Sequence, residues 1–183
     1  MNTTSKQYMA KSYCFGAILS FLLILLDQGT KYLAVQKLKD QASFVLIPGV
    51  FELHYLENHG AAFGVLQGKK LFFIAITIVM IMLLIYVYGR LPSERRYYPL
   101  YGISIALFAG AIGNFIDRVL HNYVIDFFYF SLINFPIFNV ADIYVTCAMV
   151  LFVILFLFYY KEADLDRLSA LILPWKKCGE NRS

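Results

Sequence analysis

Charge is scarce in this chain. Asp, Glu, Lys and Arg make up 15% of its 183 residues, while hydrophobic residues make up 60%, against about 45–50% apolar in soluble proteins. The few charges fall in short islands between apolar runs, which excludes an ordinary soluble surface and marks a polytopic membrane protein. The net charge of +4 is scattered, and the absence of a basic stripe excludes nucleic acid as a partner. Cysteine is scarcer still: Cys14, Cys147 and Cys178 are odd in number and far apart, which excludes a disulfide framework or a zinc spacing. His54, His59 and His121 are isolated, and none lies four residues from another, so the histidines do not suggest a metal site. The chain also lacks a Gly-x-Ser-x-Gly elbow, a phosphate-binding loop and a dinucleotide fingerprint.

What the chain has in quantity is apolar runs. Tyr13 to Leu26 follows a basic start and resembles a secretory signal, but no small-x-small cleavage site follows it and Asp27 to Leu33 continues to suit a helix. An uncleaved first span is expected at about residues 13–33, near the roughly 20 residues a bilayer needs. Further spans are expected at about 71–88, 98–116 and 139–160. In the third, Gly102, Ala106, Gly110 and Asn114 recur every four residues, with Gly113 and Asp117 alongside; a face of small residues lets helices approach closely. Between the first two spans, Phe51, Leu53 and Tyr55 alternate with Glu52 and His54, the period of a strand, and Pro48-Gly49 can turn Phe44–Ile47 onto it. Such a sheet belongs outside the hydrocarbon, where its edges are not bare in lipid. The small, glycine-rich stretch Asn58 to Gly64 suits a mobile segment near a ligand. Residues 161–183 form a mixed-charge tail, whose run Leu168 to Trp175 is too short to span but suits the membrane surface. Lys and Arg at the N-terminus, at Arg90/Arg95/Arg96 and in the tail put both termini in the cytoplasm.

Two acids flank an aromatic stretch: Asp126, a short loop beyond the third span, and Asp142, at the start of the fourth. A carboxylate at the margin of hydrocarbon is costly and points to function by default. Asn139 can be the N-cap of the fourth span with Asp142 at its third position, so capping alone accounts for both, although the helix dipole there also favours a charged Asp142. Asp126, among Val124, Ile125, Phe127 and Phe128, must be protonated or partnered. If Asp142 is that partner, the two share a proton, and one can take a proton from water while the other protonates a carbonyl oxygen. Asp27 and Lys31, four apart, make either a local ion pair or a contact with that site. Asp117 and Arg118 either close the third span as a structural pair, or Arg118 holds a loop carbonyl or a carboxylate; Asn114 is a hydrogen-bonding support. A small proton-coupled transporter using the two acids as a relay is the rival, but it predicts mid-span acids and internal repeats, and neither is seen.

Five blocks carry a resemblance: Asp27-Gln28-Gly29-Thr30-Lys31, Asn58-His59-Gly60-Ala61-Ala62-Phe63-Gly64, Gly113-Asn114-Phe115-Ile116-Asp117-Arg118, Val124-Ile125-Asp126-Phe127 and Phe138-Asn139-Val140-Ala141-Asp142. In this order, within four spans, they resemble the lipoprotein signal peptidase (signal peptidase II) family. The resemblance implies a bacterial inner-membrane aspartic endopeptidase. It implies a four-helix membrane bundle with a small extracytoplasmic sheet, the β-cradle, and a periplasmic lid within residues 36–70. The implied catalytic dyad is Asp126 and Asp142. The supporting shell is Asp27, Lys31, Asn58, Gly60, Asn114, Asp117, Arg118, Asn139 and Ala141. The implied substrate is a diacylglyceryl-modified prolipoprotein cut before its lipidated cysteine, with membrane lipids as surroundings and no metal or organic cofactor. His59 stands where the family often has a small polar residue. On this reading the signal peptide lies in a groove lined by the small residues of the bundle.

Overall fold

The computed structural model describes residues 3–60 and 69–173. Among the described residues, four helices are long and apolar enough to cross a membrane, and the chain is a multi-pass membrane protein. They are α1 (Thr3–Leu38), α2 (Lys70–Tyr88), α3 (Tyr98–His121) and α4 (Val140–Ile154), the last extended by a π-helical turn over Leu155–Tyr159. At 1.5 Å per residue α1 is about 54 Å long, well beyond the roughly 30 Å of hydrocarbon, so it protrudes. No residue of α2 is fully buried, although one face is half-buried; a helix apolar all round with its other face exposed has lipid as its solvent. A short amphipathic helix, α5 (Glu162–Ile172), follows α4. The tail was expected to suit the membrane surface. In the structure α5 packs on the bundle, with Leu168 buried beside Leu91, Tyr97, Leu100 and Tyr160. Residues 174 and 175 of that run lie outside the described residues.

The small residues of α3 place helices close together where the site will be. A Cβ on Gly110 would stand 2.7 Å from the Ala141 carbonyl oxygen and from Val145 Cγ2, and one on Gly113 would collide with the Asp27 carboxylate. Only glycine permits that approach of α3 to α4 and α1. Gly102 differs: nothing lies within 4 Å of its Cβ position, so the close contact is confined to one end of the stripe.

Among the described residues the sheet has three antiparallel strands, in the order β1 (Phe44–Ile47), β2 (Phe51–Asn58), β3 (Val124–Tyr129). The expected hairpin is present: Val50 N donates to Ile47 O at 3.0 Å across Pro48-Gly49, and Gly49 has φ +70°, the signature of a type II turn. The third strand was not expected. It is reached through Asn122, a left-handed C-cap with φ 71° that ends α3. Ile125 and Phe127 pack on Ala34 and Leu38 of α1. Side chains alternate along a strand, so Asp126 points the other way.

Candidate active site

Beyond β3 the chain loops back, and Phe138 closes onto the strand. Phe127 N and Phe128 N donate to Phe138 O at 3.0 and 2.8 Å, and Phe138 N returns a bond to Phe128 O. Stacking of Phe138 on Phe128 and Phe130 fixes the return. The next residue, Asn139, is the N-cap of α4. Its side chain accepts from Asp142 N at 3.0 Å and Asp142 Oδ2 accepts from Asn139 N at 3.1 Å, a complete capping box. The capping expected of this pair is therefore real. It also sets the two acids on facing elements.

The cap amide does a second job. Because Asn139 Oδ1 is held by the Asp142 amide, its Nδ2 must face outward, where it donates to Asp126 Oδ1 at 2.7 Å and to Asn114 Oδ1 at 3.1 Å. Asn114 Nδ2 donates in turn to Asp142 Oδ1 at 2.9 Å. Two amides thus span the distance between the carboxyls. On the far side, Asn58 Nδ2 donates to Asp126 Oδ2 at 2.8 Å, and Asn58 Oδ1 is pinned by Gly60 N at 3.0 Å. The amides of Asn58 and Asn139, the two that donate to Asp126, each have their orientation set by a backbone donor.

Below this lies a buried ionic knot. Lys31 Nζ is 2.9 Å from both Asp27 Oδ2 and Asp117 Oδ2 and donates to Asn114 Oδ1 at 2.9 Å. All three of its protons are used. Asp27 Oδ1 accepts from Ala141 N at 2.9 Å, tying α1 to the start of α4. Asp117 Oδ2 accepts from Ile125 N, which satisfies the free edge of β3. The i,i+4 pair is present, and Lys31 reaches Asp142 only through Asn114. Asp117 and Arg118 are not a pair; consecutive helical residues face different ways. Arg118 instead lies over the Phe73 ring and reaches the Gly60 carbonyl at the long limit of 3.5 Å. Gln28 was missed. Its Nε2 donates to Asp27 Oδ2, Asp117 Oδ1 and Gly113 O, and its place between two charged residues inside an apolar span was the available signal.

Asp126, Asp142, Asn58, Gly60, Asn114 and Arg118 line one side of a cavity of about 430 Å³ whose other side, from Phe135 to Phe138 and along α4, is apolar. His59 is exposed and packs against Tyr123. Residues 61–64 of the expected lid lie outside the described residues. Burial, and then the charge of Asp142, push Asp126 up to about 7, against the pull of the Asn58 and Asn139 donors. A carboxyl raised in the folded state holds its proton more tightly there than when unfolded. Its contribution to stability is full below about pH 4 and is lost as pH rises through about 7. The thermal midpoint of the protein in detergent should fall across that window, and Asp126→Asn should flatten the fall. A variant profile parallel to wild type would refute the assignment.

A bundle of spanning helices with a small sheet and buried acids at one margin belongs to a class already seen. Two solved structures described as bacterial membrane enzymes share the fold, with TM-scores of 0.71 and 0.67 at 35% and 34% identity. They cover 81% and 80% of this chain and 92% and 94% of their own. Residues 19–158 match the family model described as Signal peptidase (SPase) II, and the chain belongs to that family: it is a membrane peptidase. The lipoprotein signal peptidase of Enterococcus faecalis is 45% identical over 68% of this chain and 76% of its own length. That of Caldanaerobacter subterraneus is 45% identical over 74% and 91%, and one from Staphylococcus aureus is 38% identical over 80% and 91%. The resemblance carried by the five sequence blocks is borne out.

Proposed function

We propose that this protein is an aspartic endopeptidase that removes the signal peptide from diacylglyceryl-modified prolipoproteins, cutting before the lipidated cysteine. The observation that carries this reading is the amide bridge Asp126–Asn139–Asn114–Asp142, which holds two carboxyls at one cavity. Family membership supplies the substrate class. The cavity suits it, because one wall is polar enough to hold a water and the other apolar enough to hold acyl chains.

The chemistry follows from the donors. Both oxygens of Asp126 already accept an amide proton, so when Asp126 is protonated its O–H points away from the amides, toward the cavity. Asp126 gives that proton to the scissile carbonyl oxygen while Asp142 takes one from the attacking water, forming a gem-diol. Its collapse breaks the C–N bond as a proton passes to the cysteine nitrogen. Asp27, Lys31, Asn58, Gly60, Asn114, Asp117, Arg118, Asn139 and Ala141 hold the two acids in place.

The whole chain is one domain of the bacterial cell (inner) membrane. Arg90, Arg95, Arg96, Lys161 and Arg167 gather at the end of the bundle opposite the sheet, which supports cytoplasmic termini and a site at the outer face. Purified protein in detergent should convert a diacylglyceryl-modified prolipoprotein into two products. Mass spectrometry should find the larger beginning at the lipidated cysteine, and the unlipidated precursor should stay whole. An uncut lipidated substrate, or a cut elsewhere, would overturn the reading.

A further inference from the structure

A second cavity, of about 350 Å³, lies beyond the first toward the opposite end of the bundle. On α4, Asp142 and Val145 line the upper cavity and Met149, Phe152 and Phe156 the lower, a spacing of three and four that keeps all five on one helical face. On α3 the same holds for Arg118 and Asn114 above, and Leu107, Ile103 and Leu100 below. Leu83, Leu84 and Val87 of α2 form the third wall. The small residues Gly110 and Gly113 do not line this groove, because they are covered by α4 and α1.

The lower end is closed. Leu165, Leu168 and Ile172 of α5 form its floor. The floor is clamped: Arg96 Nε and Nη2 donate to both oxygens of Asp164 at 2.8 and 2.6 Å, and Tyr97 Oη donates to the same carboxylate at 3.1 Å. Arg167 pairs with Glu94 at 2.7 Å, and Tyr86 Oη donates to Ile172 O at 2.9 Å. These contacts fasten α5 to α2 and to the turn that leads into α3.

We propose that α5 is the floor of the signal-peptide groove and sets the longest apolar segment the enzyme accepts. This rests on the signal-peptidase reading and concerns its specificity. The residues before the scissile bond run from the acids toward the end where α5 lies, along the α4 face that lines both cavities. Phe156 is 14 residues beyond Asp142, about 21 Å along a helix at 1.5 Å per residue. A helical guest therefore has room for about 14 residues, and the apolar segments of signal peptides run to roughly 7–15. A longer one meets Leu165 and Leu168 with its basic end.

The test is a set of lipidated prolipopeptides whose leucine segments span about 10, 14 and 18 residues, each assayed for kcat/KM. Wild type should process the first two alike and the longest at least tenfold more slowly. Leu165→Ala/Leu168→Ala should raise kcat/KM for the longest substrate relative to the shortest and so erase the tenfold difference. A photoreactive leucine about 14 residues before the cysteine should cross-link to α5 in wild-type protein, which needs no turnover. An unchanged length profile in a folded variant, or a cross-link that falls only on lipid or on α1, would overturn the floor. Failure to cleave any of the substrates would count instead against the signal-peptidase reading, while the cross-link still decides the floor.

Discussion

Asp126→Asn and Asp142→Asn should each abolish cleavage of the lipidated substrate while leaving a folded protein. Asparagine neither takes a proton from water nor gives one to a carbonyl oxygen, and loss of a proton-transfer group costs on the order of 10²–10⁴ in rate, more where it activates the nucleophile. The two variants should differ in stability, and the hydrogen bonds say how. Asp142 accepts a backbone proton at Oδ2 and an amide proton at Oδ1. An asparagine there keeps one acceptor and turns an NH₂ toward the other donor, at a cost of about 1–3 kcal/mol.

At Asp126 both donors are amides whose orientation is fixed by backbone N–H groups. Neither Asn58 nor Asn139 can turn to suit the substitution without giving up a second bond. Asp126→Asn should thus be destabilised as well, although it also removes the cost of burying a charge. The measurement is single-turnover cleavage beside thermal unfolding for each variant. Near-normal turnover in either would reduce that aspartate to a cap or a packing group. If both variants are inactive only because they are unfolded, Asn58→Ala/Asp126→Asn, which removes one facing donor, should recover folding and remain inactive.

How much of this was legible in the sequence depended on how many faces of an element are covered. The four spans could be read because lipid demands unbroken apolar runs. The β1–β2 hairpin could be read because the alternation of Phe51, Leu53 and Tyr55 with Glu52 and His54, together with Pro48-Gly49, is a signal for one covered face. Strand β3 could not. Val124 to Phe127 are all buried, so the alternation is erased and the run resembles the end of a span. Its β-branched and aromatic content was the remaining clue. The shell residues were legible as polar interruptions of apolar helices, but not their pairing. Lys31 bonds across to Asp117 and Asn114, 86 and 83 positions away, and nothing local encodes that. The apolar face of α5, Leu165, Leu168 and Ile172, was equally suited to a membrane surface or a bundle. The partners that decided it, Arg96 and Glu94, sit about 70 residues earlier.

Lys31→Met should be the most destabilising single change in the chain. The ammonium is 2% exposed and is the cation shared by two carboxylates that are 0% and 1% exposed. Methionine keeps the length and the apolar stem but leaves Asp27 and Asp117 facing each other across a site that water does not enter. Breaking a buried ion pair by removing one partner costs about 3–5 kcal/mol, since the other charge is left uncompensated, and here two are left. Arginine should not rescue it, because its planar group is larger than the space the ammonium fills and cannot point three donors at Asp27, Asp117 and Asn114 together. By contrast, Asp117→Asn leaves the Lys31–Asp27 pair intact and should cost less than Lys31→Met. In the Lys31→Met/Asp117→Asn double variant one of the two stranded charges is gone, so the combined loss should fall short of the sum of the single losses by more than about 1 kcal/mol. Unfolding of the four proteins in one detergent measures this directly. Strict additivity would mean that the knot is a set of independent contacts. A shortfall would mean that Lys31 is what allows two acids to be buried beneath the amides, and hence what holds Asn114 against Asp142. Cleavage rate should then fall with Lys31→Met even at temperatures where that variant is folded.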